Sequence, residues 1–510
     1  TAWATYAPAA ASGWPQLDVA TRSSAGGGAL GEAGGAAGGG LETEFFAAGL
    51  VEGALTCRDV GAYSHNVRLA TKPPSPEALA FITQQDSYVR AEARRLAAED
   101  DYWHALAMLM AQFDGLLQGC RQFCPGVSFT AQELLLLNLD GDLFDIMVAF
   151  PSGPRPELLP ALPGKRRDLE LRRAARQALR QARPPRCSAL FKVLPDHSDV
   201  FFGHDTWDTY AAASPRLFKS YALPVRRGGR VEGHLDAFSS SPGYLSSVDD
   251  YYTIAGTAEL AVIETSLNVN DLALYDKLRT DTVPCWLRSM TSNMLARDGR
   301  DWARLFSRRH SGTYNNQWMV LDLRVFGSAG PAPGSFWVLE EIPGTVVAAD
   351  LSAHLREELY WPSFNVAFFP EVRRRMNETE SYTGAPRARL FRELQAGATS
   401  ARAMQEVMGS NDYVRSNISG GDPSKAIMAR GDLKEKDPHA SGGIDSKISS
   451  FGLYRSGMVT FGRVGPTHDS VPPFCWRPAF ASTPHRGQPE CFNFTWERLW
   501  PGKSEPVLFV

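Results

Sequence analysis

Apolar residues recur at two different spacings along the chain. Between residues 76 and 118 they follow the three-to-four residue period of an amphipathic helix, and the period is interrupted at residues 99–101. This stretch therefore predicts two helices that belong to the core. The positions that carry the period are Leu79, Phe81, Ile82, Val89, Ala93, Leu96, Trp103, Leu106 and Leu109.

The period changes to two directly after Cys187. Ala189, Phe191 and Val193 alternate with Ser188, Leu190 and Lys192, which is typical of a β-strand. Residues 195–198 read Pro-Asp-His-Ser, a turn signal, and residues 199–204 then predict the return strand of a hairpin.

The hairpin can be given a register. If Leu194 pairs with Asp199, antiparallel counting places Cys187 opposite Thr206 and Ala189 opposite His204. Directly opposed residues share a face of the sheet, so His204 and Thr206 should project on the same side as the thiol. A slip of one residue would reverse this expectation.

Two segments have a different composition. Residues 23–40 consist almost entirely of Gly, Ala and Ser, which predicts a flexible loop. Residues 151–163 contain five prolines, and residues 165–186 carry Arg or Lys at nearly every second or third position. Residues 169–182 could form a basic amphipathic helix on an anionic membrane, but we favour a solvated surface segment open to proteases. The chain is accordingly divided into an N-terminal segment 1–150, a linker 151–186 that is partly excised, and a main segment 187–510.

Composition narrows the class of protein. The chain has 510 residues, 44% hydrophobic content and a net charge of -3, which allows a large core and argues against a nucleic-acid binder. No apolar run approaches the roughly 18 residues of a membrane-spanning helix, so we expect a soluble protein without a transmembrane segment. The first residue is Thr1, which suggests a processed or truncated N-terminus.

Cysteines and glycosylation sequons indicate a secretory route. Seven cysteines leave at least one thiol outside any intramolecular disulfide, and Cys187 is the candidate. Cys120 and Cys124 are close enough for a local bridge, Cys475 and Cys491 flank a Pro-rich loop region and are the second candidate pair, and Cys57 and Cys285 stay undecided. The sequons begin at Asn377, Asn417 and Asn493.

Five motifs in order resemble the phospholipase B-like family of N-terminal nucleophile hydrolases. They are CSALFKVLP from Cys187, HDTW from His204, SGTYNNQW from Ser311, YWPSFN from Tyr360 and APRARLF from Ala385. The resemblance implies an α/β (α+β) protein with an αββα sandwich of two antiparallel sheets flanked by helices. It also implies self-cleavage between Arg186 and Cys187, after which the two fragments stay associated.

A cysteine that becomes the first residue of a fragment supplies two catalytic groups, its thiol and its α-amino group. In the precursor the thiol attacks the carbonyl carbon of Arg186, and water hydrolyses the resulting thioester. His204 then holds the thiolate or shuttles protons. The alternative for Cys187 is a buried small apolar residue. The family commonly has His before the nucleophile, whereas Pro184, Pro185 and Arg186 precede it here.

Resemblance to cysteine-type N-terminal nucleophile hydrolases assigns further residues to the site. Asn365 would donate to the oxyanion, and Arg387 would stabilise the oxyanion or the thiolate. A turn-capping Asn and a structural Arg are the alternatives. Independently of the resemblance, we expect Thr206 and Trp207 to line the substrate pocket, with a core Trp as the alternative for Trp207. The amides of Asn315 and Asn316 would reach substrate unless they tie loops together.

One further pair of acidic residues is given no catalytic role. Asp249 and Asp250 precede two tyrosines with no His or Cys at ligand spacing, and we interpret them as a solvated turn. We expect no metal and no organic cofactor.

The function that follows is that of a lysosomal, or secreted, glycoprotein that releases fatty acids from phospholipids. An amidase acting on N-acyl lipids or peptides is the first alternative. A lysosomal glycoprotein with vestigial activity is the second.

Overall fold

Two large β-sheets pack face to face, with helices against their outer surfaces. The computed structural model of the chain describes residues 2–9, 11–21, 39–70, 73–126, 129–151, 187–327, 329–502 and 508–509. The predicted flexible loop at residues 23–40 falls almost wholly outside these ranges, as do residues 152–186 of the predicted linker and the cleavage residue Arg186.

The larger sheet has ten strands among the described residues. In spatial order they are β13 (Thr345–Asp350), β12 (Phe336–Ile342), β9 (Asn316–Asp322), β8 (Leu260–Ser266), β7 (Tyr251–Ala255), β6 (Arg230–Ser240), β5 (Leu217–Arg227), β2 (Gln16–Thr21), β1 (Ala2–Ala7) and β18 (Leu508–Phe509). Neighbouring strands are antiparallel except β2 and β5, which are parallel.

The smaller sheet has six described strands, all antiparallel to their neighbours. Their spatial order is β14 (Tyr360–Ser363), β3 (Ser188–Val193), β4 (Val200–Thr209), β15 (Ser441–Ser450), β16 (Thr460–Val464) and β17 (Glu497–Leu499). A separate two-stranded ribbon joins β10 (Phe326–Gly327) to β11 (Gly330–Pro331).

The alternation in β3 shows how the two sheets meet. Phe191 packs on Phe336 of the larger sheet, with ring centroids 5.1 Å apart. Leu190, on the opposite face, belongs to a separate apolar cluster with Phe391 and Met404 from the flanking helices. Side chains of one strand point alternately to opposite faces, so odd positions of β3 lie between the sheets and even positions lie beneath helices.

Helices cover the outer faces of both sheets. Those described before Cys187 are α1 (Gly39–Ala70), α2 (Pro76–Leu96), α3 (Asp101–Phe123), α4 (Ala131–Asn138) and α5 (Asp140–Ala149). Those after it are α6 (Cys285–Leu295), α7 (Gly299–Phe306), α8 (Ser352–Glu358), α9 (Pro370–Arg375), α10 (Pro386–Leu394), α11 (Ala401–Met408) and α12 (Phe451–Arg455). The predicted αββα sandwich is confirmed.

The sequence explains where the predicted pair of helices begins and breaks. Ser75 accepts a hydrogen bond from the backbone N–H of Ala78 at 3.0 Å and caps α2. Asp100 accepts one from Tyr102 at 2.8 Å and caps α3. The break at residues 97–100 confirms the interruption read from the apolar period.

Glycines set the distance between α1 and α3. A Cβ on Gly49 would lie 1.9 Å from the backbone oxygen of Gln112, and one on Gly115 would lie 2.0 Å from that of Phe46. No side chain fits at such a distance, so the two backbones approach closely only because these positions lack one.

The N-terminal segment is part of the same core. Its strands β1 and β2 extend the larger sheet, and Glu52 of α1 forms a buried ion pair with Lys219 of β5 at 2.7 Å. Tyr221 donates to the same carboxylate at 2.6 Å. In the continuous chain the segment before the linker therefore packs on the remainder.

The cysteine pairing corrects one prediction and confirms another. Cys475 and Cys491 are disulfide-bonded as predicted, but Cys124 pairs with Cys57 of α1, not with Cys120. Cys120 lies inside α3 with its thiol towards the backbone oxygen of Gly53, whereas Cys124 follows the last turn of the helix. Cys120, Cys187 and Cys285 are free and buried. None of the helices in the described ranges is long and apolar enough to cross a membrane.

Candidate active site

Cys187 lies in the gap between the two sheets. It precedes β3 directly, and as an odd position it shares the inward face of Ala189 and Phe191. The residue is 6% exposed. Burial raises the pKa of its thiol well above the usual value, the charge of Glu264 adds to the rise, and the backbone N–H of Trp207 opposes it. In the continuous chain the sulfur is therefore held as a neutral thiol.

His204 occupies the position that the hairpin register predicts. Ala189 pairs with His204, and Ser188 pairs with Asp205. The next position in the same register places Cys187 opposite Thr206. The imidazole is fully buried, and neither ring nitrogen makes a hydrogen bond of good geometry within the described ranges. Burial lowers the pKa of His204 well below its usual value, and the charge of Lys447 lowers it further. The ring is consequently neutral.

A carboxyl group from the opposite sheet completes a close cluster. Glu264 of β8 has an oxygen that lies within 4.8 Å of both the Cys187 sulfur and a ring nitrogen of His204. Its Oε1 accepts a hydrogen bond from the hydroxyl of Tyr314 at 3.0 Å, while Oε2 is without a partner among the described residues. Burial raises the pKa of Glu264 well above its usual value. The three groups are called the thiol cluster below.

Next to the thiol cluster, two buried cations and two buried carboxylates form a closed set. Lys447 Nζ lies 2.8 Å from Asp249 and 2.7 Å from Asp445. Arg216 contacts the same carboxylates at 2.6 and 2.9 Å. Burial by itself would raise the pKa of Asp249, but Arg216 and Lys447 hold it well below the usual range. This set is called the charge quartet.

The charge quartet corrects the interpretation of Asp249 and Asp250 as a solvated turn. Both residues are only 2% exposed. Asp249 also accepts hydrogen bonds from Ser239 at 2.7 Å and from Thr206 at 3.2 Å. Thr206 thus connects the charge quartet to the strand that carries His204.

Arg387 and Asn365 fix the start of β3. Arg387, on α10, donates to the backbone oxygen of Cys187 and, at 2.7 Å, to the side-chain oxygen of Asn365. Its guanidinium stacks on the ring of Trp207 at 4.5 Å. The structure therefore brings Arg387 to the backbone of Cys187, and Asn365 and the ring of Trp207 contact its guanidinium.

The amide of Asn365 has contacts of its own. Its NH2 group donates to the backbone oxygen and hydroxyl of Ser266 at 2.7 and 3.2 Å. Its backbone φ of 68° lies in the left-handed region, which Asn tolerates better than most residues. An oxyanion role requires that one of these hydrogens turn toward substrate, so it stays a prediction.

The two asparagines predicted to line the pocket behave differently. Asn315 donates to Asp145 of α5 at 2.9 Å and to the backbone oxygen of Gly312 at 3.1 Å, so it ties the N-terminal segment to the main segment. Asn316, at the start of β9, is fully buried, and its amide has no hydrogen-bond partner within the described ranges. Contact of either residue with substrate remains a prediction.

Sequence reasoning missed Glu264, Lys447, Asp445 and Arg216. A signal was present for some of them, because Glu264 directly follows the apolar run at the start of β8 and Lys447 lies next to Ile448 in β15, a strand that is buried over most of its length. A charged side chain inside a buried strand requires a partner. Which partner it has depends on the opposing sheet, which is distant in sequence.

Comparison with known proteins extends over almost the whole chain. The model of the phospholipase B family matches residues 2–499. Phospholipase B-like protein G of Dictyostelium discoideum is 32% identical over 483 residues, covering 89% of this chain and 80% of that protein. Phospholipase B-like 1 of Homo sapiens is 32% identical over 477 residues, covering 90% and 82%. Phospholipase B of Crotalus adamanteus is 30% identical over 480 residues, covering 90% and 83%.

Proposed function

Because the chain belongs to the phospholipase B family, we propose that it hydrolyses acyl esters of phospholipids with the thiol of Cys187 as nucleophile. The observation that carries the proposal is the thiol cluster. A sulfur, an imidazole and a carboxyl group lie within 4.8 Å of one another in a buried gap, and a guanidinium holds the backbone next to the sulfur.

Activation is the first step of the proposed mechanism. The Cys187 thiol attacks the carbonyl carbon of Arg186 while the peptide nitrogen takes up a proton and leaves, and water then hydrolyses the thioester. The new α-amino group has an ordinary pKa of about 7.7–8.0, so it carries a proton at acidic pH. An ammonium group beside the sulfur stabilises the thiolate and offsets the effect of burial on the thiol.

Turnover repeats the same chemistry on substrate. The thiolate attacks the ester carbonyl, the ammonium group protonates the departing alcohol, and a thioester with the fatty acid remains. Water then attacks the thioester, and the free amine accepts its proton. His204 is suited to transfer protons here, because burial keeps its imidazole neutral and neither ring nitrogen makes a hydrogen bond of good geometry within the described ranges.

The charge quartet has a separate role in this proposal. It keeps Asp249 ionised and hydrogen-bonded to Thr206. Thr206 follows His204 on the same face of β4. A rigid ionic layer behind the site positions the reacting side chains and does not itself exchange protons with substrate.

N-terminal sequencing of fragments separated under reducing conditions tests the activation step. A new terminus at Cys187 is the expected result, and mature protein that is continuous through residues 186–187 yet hydrolyses lipid would refute the mechanism. The alternative of a vestigial glycoprotein predicts the continuous chain without activity.

Turnover is tested with phosphatidylcholine and an N-acyl amide at acidic pH. Cys187→Ala should lower the rate at least about 10³-fold, whereas Cys285→Ser, which alters another buried free thiol, should retain it. Because Cys187→Ala also blocks cleavage, alkylation of mature wild-type protein provides an independent measurement. Hydrolysis of the amide alone would identify the amidase instead, and turnover unaffected by loss of the thiol would exclude Cys187.

We also propose a secretory route to the lysosome. Two disulfides support it, and so do the three sequon asparagines, Asn377, Asn417 and Asn493, which are all exposed. Glycosidase treatment of protein purified from its native source should lower its apparent mass if these sites carry glycans.

A further inference from the structure

The thiol cluster has the composition of a metal site as well as that of a catalytic site. Cys187 supplies sulfur, His204 a ring nitrogen and Glu264 a carboxylate oxygen, and these atoms all lie within 4.8 Å of one another. Cys187 directly precedes β3 and His204 lies on β4, both on the side of the smaller sheet, whereas Glu264 lies on β8 of the larger sheet. A cation between them would bridge the two layers.

The donor atoms are buried and partly unused. Neither ring nitrogen of His204 and neither lone pair of Glu264 Oε2 takes part in a hydrogen bond of good geometry within the described ranges, although both side chains are fully buried. Buried polar atoms are nearly always satisfied by protein, water or an ion. Three unsatisfied atoms beside a free thiol therefore indicate a ligand of high hydrogen-bonding or coordinating capacity.

The charges nearby favour a divalent ion. The two positive groups of the charge quartet are neutralised by Asp249 and Asp445, so they leave no excess charge for the thiol cluster. When a metal displaces the protons of the Cys187 thiol and the Glu264 carboxyl group, the resulting thiolate and carboxylate carry two negative charges, and the neutral imidazole adds none. A dication would make the buried group neutral overall, which removes the cost of burying unpaired charge.

We propose that the thiol cluster binds one zinc ion, which reversibly inhibits the hydrolase. Sulfur and imidazole donors favour zinc over calcium or magnesium, and zinc prefers four tetrahedral ligands. Bonds of about 2.0–2.3 Å place tetrahedral ligands roughly 3.5 Å apart, so small side-chain movements bring the three atoms into range. Water or the α-amino group of Cys187 completes the four, and the protons of the thiol, of the Glu264 carboxyl group and, where the amine binds, of the ammonium group pass to solvent on binding.

The inhibition, but not the binding, rests on the proposed function. A zinc-bound sulfur cannot attack an ester, so zinc and substrate compete for the same thiol. The cleaved protein should bind more tightly than the continuous chain, because the amine and sulfur of one cysteine form a chelate ring. The continuous chain still offers three protein ligands, so zinc binding can be measured in protein that has not been cleaved and has no catalytic activity.

Titration of the mature protein with Co²⁺ is the primary test. We expect one ion per chain, an intense thiolate-to-cobalt absorption band in the near ultraviolet, and its loss on addition of one equivalent of Zn²⁺. Zinc should also protect Cys187 from iodoacetamide in peptide maps, with labelling of Cys120 and Cys285 unchanged in the same digest. Absence of the band and of protection would overturn the proposal.

Variants locate the site. His204→Gln and Glu264→Gln should each weaken zinc binding at least tenfold, whereas Cys285→Ser should leave it unchanged, with folding checked by circular dichroism. Equal binding by all variants would show an adventitious surface ion and refute the site. If cobalt binds as expected but no substrate is hydrolysed, the metal site stands and the proposed function fails. If hydrolysis is observed without metal binding, only the present inference fails.

Discussion

Replacement of Lys447 by Met tests the charge quartet directly. The ammonium group is 1% exposed and contacts both carboxylates, at 2.8 Å for Asp249 and 2.7 Å for Asp445. Met fills a similar volume with a flexible, apolar chain, so the substitution removes a charge without leaving a large cavity. Arg216 then remains as the only cation of the quartet, facing two buried carboxylates.

The expected cost follows from this imbalance. Removing one partner of a buried ion pair destabilises a protein by about 3–5 kcal/mol, because a buried charge is left uncompensated. At roughly 2.1 cal/mol/K per residue, the unfolding entropy of this 510-residue chain is about 1.1 kcal/mol/K if it unfolds as one unit. The melting temperature should therefore fall by about 3–5 °C near pH 7.

The pH dependence of the melting temperature gives a second test of the same reasoning. The pKa of Asp249 is depressed in the folded protein, so its contribution to stability is present above the unfolded pKa and is lost as pH falls through the folded pKa. Without Lys447 the carboxylate protonates more readily. The difference in melting temperature between variant and wild type should therefore shrink in acid.

Calorimetry of wild type, Lys447→Met and a matched control provides the measurement. Lys425→Met removes an exposed ammonium group 3.8 Å from Asp422 and should change stability by less than about 1 kcal/mol. Adding Asp445→Asn to Lys447→Met restores equal numbers of charges and should recover part of the loss. A Lys447→Met protein that melts with the Lys425→Met control, or a double variant whose losses simply add, would refute the reasoning.

Three further predictions concern other parts of the molecule. Asn365→Gly keeps the left-handed backbone but removes the amide, so kcat should fall about 10²–10³-fold, and an unchanged kcat would remove the amide from the machinery. The melting temperature should fall by only about 1–3 °C, from the partners that the amide leaves unpaired. Burial raises the pKa of Asp145 to about 7, so its contribution to stability is full below about pH 4 and is lost as pH rises through 7. Asp145→Asn should flatten the change in melting temperature between pH 5 and 8, whereas Asp114→Asn, at an exposed position, should preserve it. Gly49→Ala should lower the free energy of unfolding by about 1–3 kcal/mol or more in denaturant titrations, because the new Cβ forces α1 and α3 apart. A Cβ at Gly40 would have no atom within 4 Å, so Gly40→Ala should be neutral or stabilising.

Local sequence patterns were sufficient to predict several helices and strands. Ser75 and Asp100 cap the helices that the apolar period predicts, because capping and periodicity act within a few residues. The register that pairs Ala189 with His204 followed from a four-residue turn for the same reason. The αββα arrangement came from resemblance to a family and not from these patterns.

Contacts between residues that are distant in sequence could not be predicted from local patterns. Cys124 bonds to Cys57, which is 67 residues away on α1, although Cys120 is nearer in sequence. Asp249 resembled a turn residue until Arg216, which precedes β5, and Lys447, on β15, were seen to enclose it. Proximity of this kind depends on how the sheets stack, and no local rule contains it.

By itself the sequence determined the strand that follows Cys187, the face that its sulfur shares with His204, and the two helices of the N-terminal segment. These are consequences of side-chain period, turn chemistry and capping, which operate over short distances along the chain. Only the tertiary structure decided that Glu264 meets this sulfur and that a buried charge quartet lies beside it. Burial across two sheets joins residues far apart in sequence, and burial is also what sets their protonation states.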